Sequence, residues 1–248
     1  MSDTSASASR LSAWGSLMLY AAVFVAIYAG VKYAEAALMP RFDLSNLRAM
    51  AAFRTAFSIA LDWLEAIAMI LLLRFRGMRL SDIGWRKGSS VWGWIGALVA
   101  VAIYAGFALG GPMLKGQPIL TDWSLFRIAT ALGIGITAGF CEEAIFRGFV
   151  MTEARNGGAP LWLQIVLSAL LFGMAHAGWG GMTAKFDIGS MIGAMISTAI
   201  LGVMLAGVYV IGRRSLVPVV VAHGVIDAII EPWLILFALS GGFAHMGH

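Results

Sequence analysis

The sequence predicts an all-α fold, a polytopic transmembrane helical bundle of about seven to eight spans. Three observations predict it. The 248 residues are 60% hydrophobic and only 12% charged, with a mean hydropathy of +0.86, whereas about a quarter of a soluble domain is charged. The apolar residues gather in runs at 12–34, 52–73, 91–113, 125–150, 161–180, 188–211 and 216–240, each long enough to cross a bilayer. Between the runs stand loop signals such as Asn156-Gly-Gly-Ala-Pro160 and Gly212-Arg-Arg-Ser215.

Taken in order, residues 1–11 are Ser/Ala-rich and read as a disordered tail. The apolar stretch after them is too long for a signal-peptide core and reads as a retained first span. Residues 12–118 then make N-terminal transmembrane helices, 119–240 a transmembrane core, and 241–248 a C-terminal tail. The segment 74–87 holds five basic residues, which assigns it to the cytoplasmic side. Counting spans from there puts 147–160 and 212–215 on the same side, and both are basic. The loops near Lys115 and Lys185 fall opposite, which gives an N-in, C-out arrangement. Residues 35–54 strain this scheme, because they should lie outside yet carry Arg41, Arg48 and Arg54. An interfacial amphipathic helix within that stretch would resolve the conflict.

Composition also excludes. A pI near 9.5 could suggest nucleic acid, but the basic residues are scattered over loops, as topology signals are. The lone Cys141 rules out an internal disulfide and any CxxC motif. A thiol nucleophile paired with His176 or His223 is conceivable, though a small packing residue is the simpler reading. Gly135 with Gly139, and Gly189 with Gly193, have the spacing that lets membrane helices approach closely.

Ionisable residues inside these runs point to function. Glu142, Glu143 and Arg147 share one segment, His176 lies in the next, and His223 with Asp227 in a later one. A charge at mid-bilayer costs roughly 2.5–3.5 kcal/mol even on lenient scales, so such residues face a bundle interior or a cavity. Acids with histidines are also the groups that acid–base hydrolysis uses. Glu143 and Arg147 are four apart and can pair on a helix face. Glu142 is turned away from them by about 100° and is left free for proton transfer.

Glu142 and His176 are nearly equidistant from residue 159. In a helical hairpin closing there, both sit about 25 Å from the turn and meet at one depth. His223 and Asp227 share a face, Glu231 extends it, and Pro232 bends the helix beyond. Depth counting places His223 only about 10 Å from the 213–214 loop. That is too shallow to meet His176 unless the last helix tilts strongly or starts late. Lys32, Asp62 and Glu65 are further buried charges, which could pair with basic neighbours or line an access route.

These residues resemble a family. Glu142-Glu143-Ala-Ile-Phe-Arg147 is similar to its EExxxR motif, Phe172-Gly-Met-Ala-His176 to FxxxH, and His223-Gly-Val-Ile-Asp227 to HxxxN/D. The resemblance is to the CPBP intramembrane proteases, which comprise type II CAAX prenyl endopeptidases and bacteriocin-processing or self-immunity proteins. It covers roughly residues 120–230, and all three motifs in order on successive membrane segments are specific. It implies a membrane peptidase, in a bacterial inner or plasma membrane, acting on a membrane-associated peptide or protein within the lipid bilayer. It further implies that Glu142 activates water with His176 assisting, that His223 and Asp227 stabilise the oxyanion, and that Glu143, Arg147 and Phe172 support the site. Many members carry Asn at the position of Asp227. An ionised Asp cannot donate to an oxyanion, so Asp227 would instead orient His223 or carry the proton itself. The family is often described as metalloprotease, and Glu142, His176 and His223 could form a His₂Glu zinc site. HExxH is absent, and the glutamate can activate water without metal; both routes stay open, the metal-free one slightly preferred. The competing readings are a non-catalytic scaffold or immunity factor on the same fold, and a proton-coupled transporter. The transporter would use Asp62, Glu65, Glu142 and Glu143 as a relay, but repeat symmetry is missing.

Overall fold

The computed structural model describes residues 3–43, 46–86, 88–114, 125–181 and 188–239. They form α1 (Asp3–Leu38), α2 (Leu47–Phe75), α3 (Val91–Leu114), α4 (Leu125–Glu143), α5 (Met151–Asn156), α6 (Leu161–Ala175), α7 (Ile188–Ile211) and α8 (Leu216–Leu239). A π-helical segment, Ala144–Val150, joins α4 to α5, so these three run as one continuous rod. Among the described residues there is no strand. The loops around Lys115 and Lys185, the C-terminal tail and the side chains of Glu231 and Pro232 lie outside what is described.

Five passages are long and apolar enough to cross a membrane: Ser12–Arg41, Arg48–Phe75, Ile128–Asn156, Leu161–Gly178 and Met191–Ile211. Val91–Gly106 and Leu216–Ile229 are shorter apolar helices beside them. Large apolar side chains point outward, among them Leu98 at 71% and Ile136 at 66% exposure. An outer surface of that kind is stable against lipid and not against water. The protein is an integral membrane helical bundle.

Glycine sets the helix spacing at its centre. A Cβ on Gly135 would stand 2.5 Å from the Gly224 carbonyl of α8, and one on Gly139 would stand 2.8 Å from the Val220 carbonyl. Only hydrogen fits at either place, so α4 and α8 pack backbone to backbone. This contact carries His223 to the level of Glu143. The second glycine pair differs from expectation, because Gly193 has nothing within 4 Å of its would-be Cβ.

The three basic loops do gather at one end. Leu216 N–H donates to the Gly84 carbonyl at 3.0 Å, the Tyr209 hydroxyl to the Ile83 carbonyl at 3.1 Å, and Arg214 to Gln164 at 2.6 Å. The stretch 147–160 is not mainly loop, however. Helix persists to Asn156 and residues 146–154 are buried, leaving only 157–160 as the connection. Glu153 is buried and its charge is met by Arg76 at 3.2 Å.

The opposite end resolves the strain at 35–54. A short 3₁₀ turn, Met39–Arg41, leads from α1 towards α2, and Asn46 caps α2 by accepting from Arg48 N–H at 2.8 Å. Arg54 is a residue of α2 and stands 3.8 Å from the buried Glu35, which also binds Lys32 at 2.8 Å. Part of the basic excess there is thus neutralised locally.

Candidate active site

Glu142 and Glu143 are the last two residues of α4, at the switch from α to π geometry. A π turn re-aims the side chains around it and recurs at functional sites. Glu143 and Arg147 are both fully buried and paired at 2.7 Å, as their spacing predicts. Arg147 also donates to the Gly202 carbonyl of α7 at 3.2 Å and lies over the Phe172 ring, 4.3 Å from its centroid. Ser168 of α6 donates to the Phe146 carbonyl within the π segment at 3.0 Å. The motif helix is thereby tied to two neighbours by polar contacts that lipid cannot replace.

His223 stands at the centre. Its Nδ1 donates to Glu143 Oε1 at 2.7 Å, the same oxygen that accepts from Arg147 NH1. Its Nε2 lies 3.3 Å from Asp227 Oδ2 and 3.9 Å from Glu142 Oε2. Three carboxylates therefore ring one imidazole that is 2% exposed. Glu143 does more than neutralise Arg147, because it also fixes the imidazole's orientation.

The shallow position counted for His223 is corrected by the choice of reference plane. Gly148, not residue 159, is level with the other loops: a Cβ there would meet Ile83 at 3.1 Å and Leu216 at 3.3 Å. Residues 149–156 project beyond that plane, so the distance from the 157–160 turn overstates how deep Glu142 lies. The last helix begins directly at Leu216 and needs no late start.

His176 closes α6 as its C-terminal cap and starts the 3₁₀ turn His176–Gly181. Its Nδ1 donates to the Phe172 carbonyl at 2.9 Å. Phe172 is the spacer of the site, with ring centroids 4.8 Å from His176 and 5.5 Å from His223. It sits one turn nearer the basic end than His176, which is why a residue of α6 can be level with His223. Glu142, His176 and Asp227 line one cavity of about 150 Å³. The register argument from the turn therefore brings Glu142 and His176 to a common space.

A zinc ion bound by Glu142, His176 and His223 does not fit this arrangement. Among the described residues no three His, Cys, Asp or Glu side chains converge closely enough to hold a metal. Cys141 is fully buried and packs in the core cluster with Ala144 and Ile145, in keeping with a packing role.

Sequence reasoning left Asp62 and Glu65 undecided. Both line the Glu142 cavity, from α2 on its far wall. Their signal was present in the 62/65 spacing, but nothing in the sequence tied α2 to α4. Beside this cavity a largely apolar groove of about 960 Å³ runs between α1 and α6, from Trp14 to Lys32 and Arg54.

The family model for type II CAAX prenyl endopeptidase Rce1-like proteins matches residues 122–229. This match supports the resemblance of the three motifs to the CPBP proteases. The matched segment holds Glu142, Glu143, Arg147, Phe172, His176, His223 and Asp227, whereas Asp62 and Glu65 lie outside it. Neither the curated proteins nor the solved structures contain a match to the chain. The matching family is one of membrane-embedded proteases.

Proposed function

We propose that this protein is a CPBP-type endopeptidase that hydrolyses a peptide bond of a membrane-associated protein or peptide, with water activated by Glu142. The observation that carries the reading is the position of Glu142 Oε2, 3.9 Å from His223 Nε2, on a cavity shared with His176 and Asp227. That oxygen has no hydrogen-bond partner among the described residues. It is the acceptor left for a water.

In this reading Glu142, with His176 holding the water beside it, takes a proton as the hydroxide adds to the carbonyl carbon. A positioned base of this kind contributes about 10²–10⁴-fold. The oxyanion accepts from His223 Nε2–H, whose other nitrogen is committed to Glu143. A donor aimed at developing charge is worth about 2.7–4 kcal/mol. Collapse of the tetrahedral adduct breaks the C–N bond, and Glu142 returns its proton to the departing amine. The products are a carboxylate and an amine. Asp227, 3.3 Å from Nε2, steadies the imidazole and is not itself the donor.

The test is a comparison of membranes containing wild-type protein with membranes containing Glu142→Gln. Peptide mass spectrometry should reveal a membrane-associated substrate that stays uncut only in the variant. If both membranes yield the same peptide termini, the peptidase reading fails and a scaffold on this fold takes its place.

A further inference from the structure

We propose that Asp62 and Glu65 form a subsite for a positively charged group of the substrate, a lysine ammonium carried next to the scissile bond. This deepens the peptidase reading and rests on it for the identity of the ligand as substrate. The cavity wall opposite the motif residues is a stripe of α2 comprising Arg54, Ser58, Asp62 and Glu65. These residues repeat at helical spacing and face one way. Four carboxyl side chains line the space, Asp62, Glu65, Glu142 and Asp227, against the two fixed cations Lys32 and Arg54. Both cations are turned to Glu35, at 2.8 and 3.8 Å. Arg54 is eight residues from Asp62 on α2, or about 12 Å along the axis, too far to pair with it.

Of the two α2 acids, Glu65 keeps an unmet acceptor. Glu65 is 5% exposed, and its Oε1 has no hydrogen-bond partner among the described residues. A buried carboxyl without a partner either stays neutral or takes its countercharge from something bound beside it. Within the protein, Tyr20 reaches only the Glu65 backbone carbonyl, at 3.1 Å. A compact organic cation bound there would meet this acceptor and supply the countercharge. A cavity of about 150 Å³ is suited to a primary ammonium. Its position between α2 and the Glu142–His223 pair places that ammonium beside the bond being cut.

The experiment uses full-length protein in nanodiscs. Membrane-anchored peptides carry lysine, or the neutral isostere norleucine, at each position around the scissile bond in turn. Wild type should favour lysine at one position by at least about tenfold in kcat/KM. In Asp62→Asn/Glu65→Gln, and in Asp62→Asn alone should the double variant fail to fold, that ratio should fall towards one. Equal cleavage of both peptides by wild type, or a preference that survives in a folded variant, overturns the subsite. A second readout is independent of turnover. Butylammonium should raise the thermal midpoint of wild-type protein more than n-butanol does, and the difference should vanish in the variant. If no peptide is cut, the peptidase reading falls, and the butylammonium comparison alone decides the cation site.

Discussion

Glu143 Oε1 lies 2.7 Å from His223 Nδ1 and 2.7 Å from Arg147 NH1. One oxygen thus couples the arginine of the first motif to the histidine of the third. All three side chains are at most 2% exposed, so each depends on the others for its countercharge. The pairing makes His223 a fixed donor, with Nε2 pointed at Glu142 and Asp227.

We predict that Glu143→Ala abolishes turnover and lowers stability by about 3–5 kcal/mol, because Arg147 is left buried and unpaired. Thermal unfolding in detergent, measured alongside peptide turnover, checks both effects. A variant that loses activity yet unfolds at the wild-type temperature would show that the pair is solvated.

Arg147→Lys should not rescue Arg147→Ala. The guanidinium serves Glu143, the Gly202 carbonyl and the Phe172 face at once. An ammonium has neither the planar fork nor the stacking surface for this. We expect both variants to unfold at lower temperature than wild type, with lysine recovering less than half of the loss. Full recovery would mean that charge alone suffices.

Glycine packing gives a matched pair of tests. Gly135→Ala forces a methyl into a 2.5 Å contact with the Gly224 carbonyl, whereas Gly193→Ala meets nothing within 4 Å. The first should lower both stability and turnover by pushing α8, and with it His223, away from α4. The second should leave turnover unchanged and stabilise by up to about 1 kcal/mol through helix propensity. Equal effects at the two positions would contradict the close contact of α4 with α8.

Much of this was legible before the fold was known. The apolar runs placed α3, α7 and α8 to within a residue at each end, because a membrane span must satisfy its backbone internally and announces itself by length. They missed the start of α1, which extends back to Asp3 into the stretch read as a tail. The Glu143–Arg147 pair followed from spacing, and the shared cavity of Glu142 and His176 from the hairpin register. Three things were hidden. The π segment at Ala144–Val150 changes helical register without any composition signal. The depth of His223 depended on which residue lies level with Leu216, and Gly148 shows this only once Ile83 packs on it. Asp62, Glu65 and Glu35 needed knowledge of which helix faces which, since periodicity gives a face but not a neighbour.

The most direct measurement is the turnover of purified Glu142→Gln beside its thermal midpoint. Glutamine keeps the shape of the side chain and removes the base. We predict a fall in kcat of about 10²–10⁴-fold with unfolding temperature equal to or above wild type, since a carboxylate whose Oε2 is buried without a hydrogen-bond partner has been replaced by a neutral amide. Turnover near the wild-type value in a correctly folded variant would contradict the assignment of Glu142 as the base that activates water.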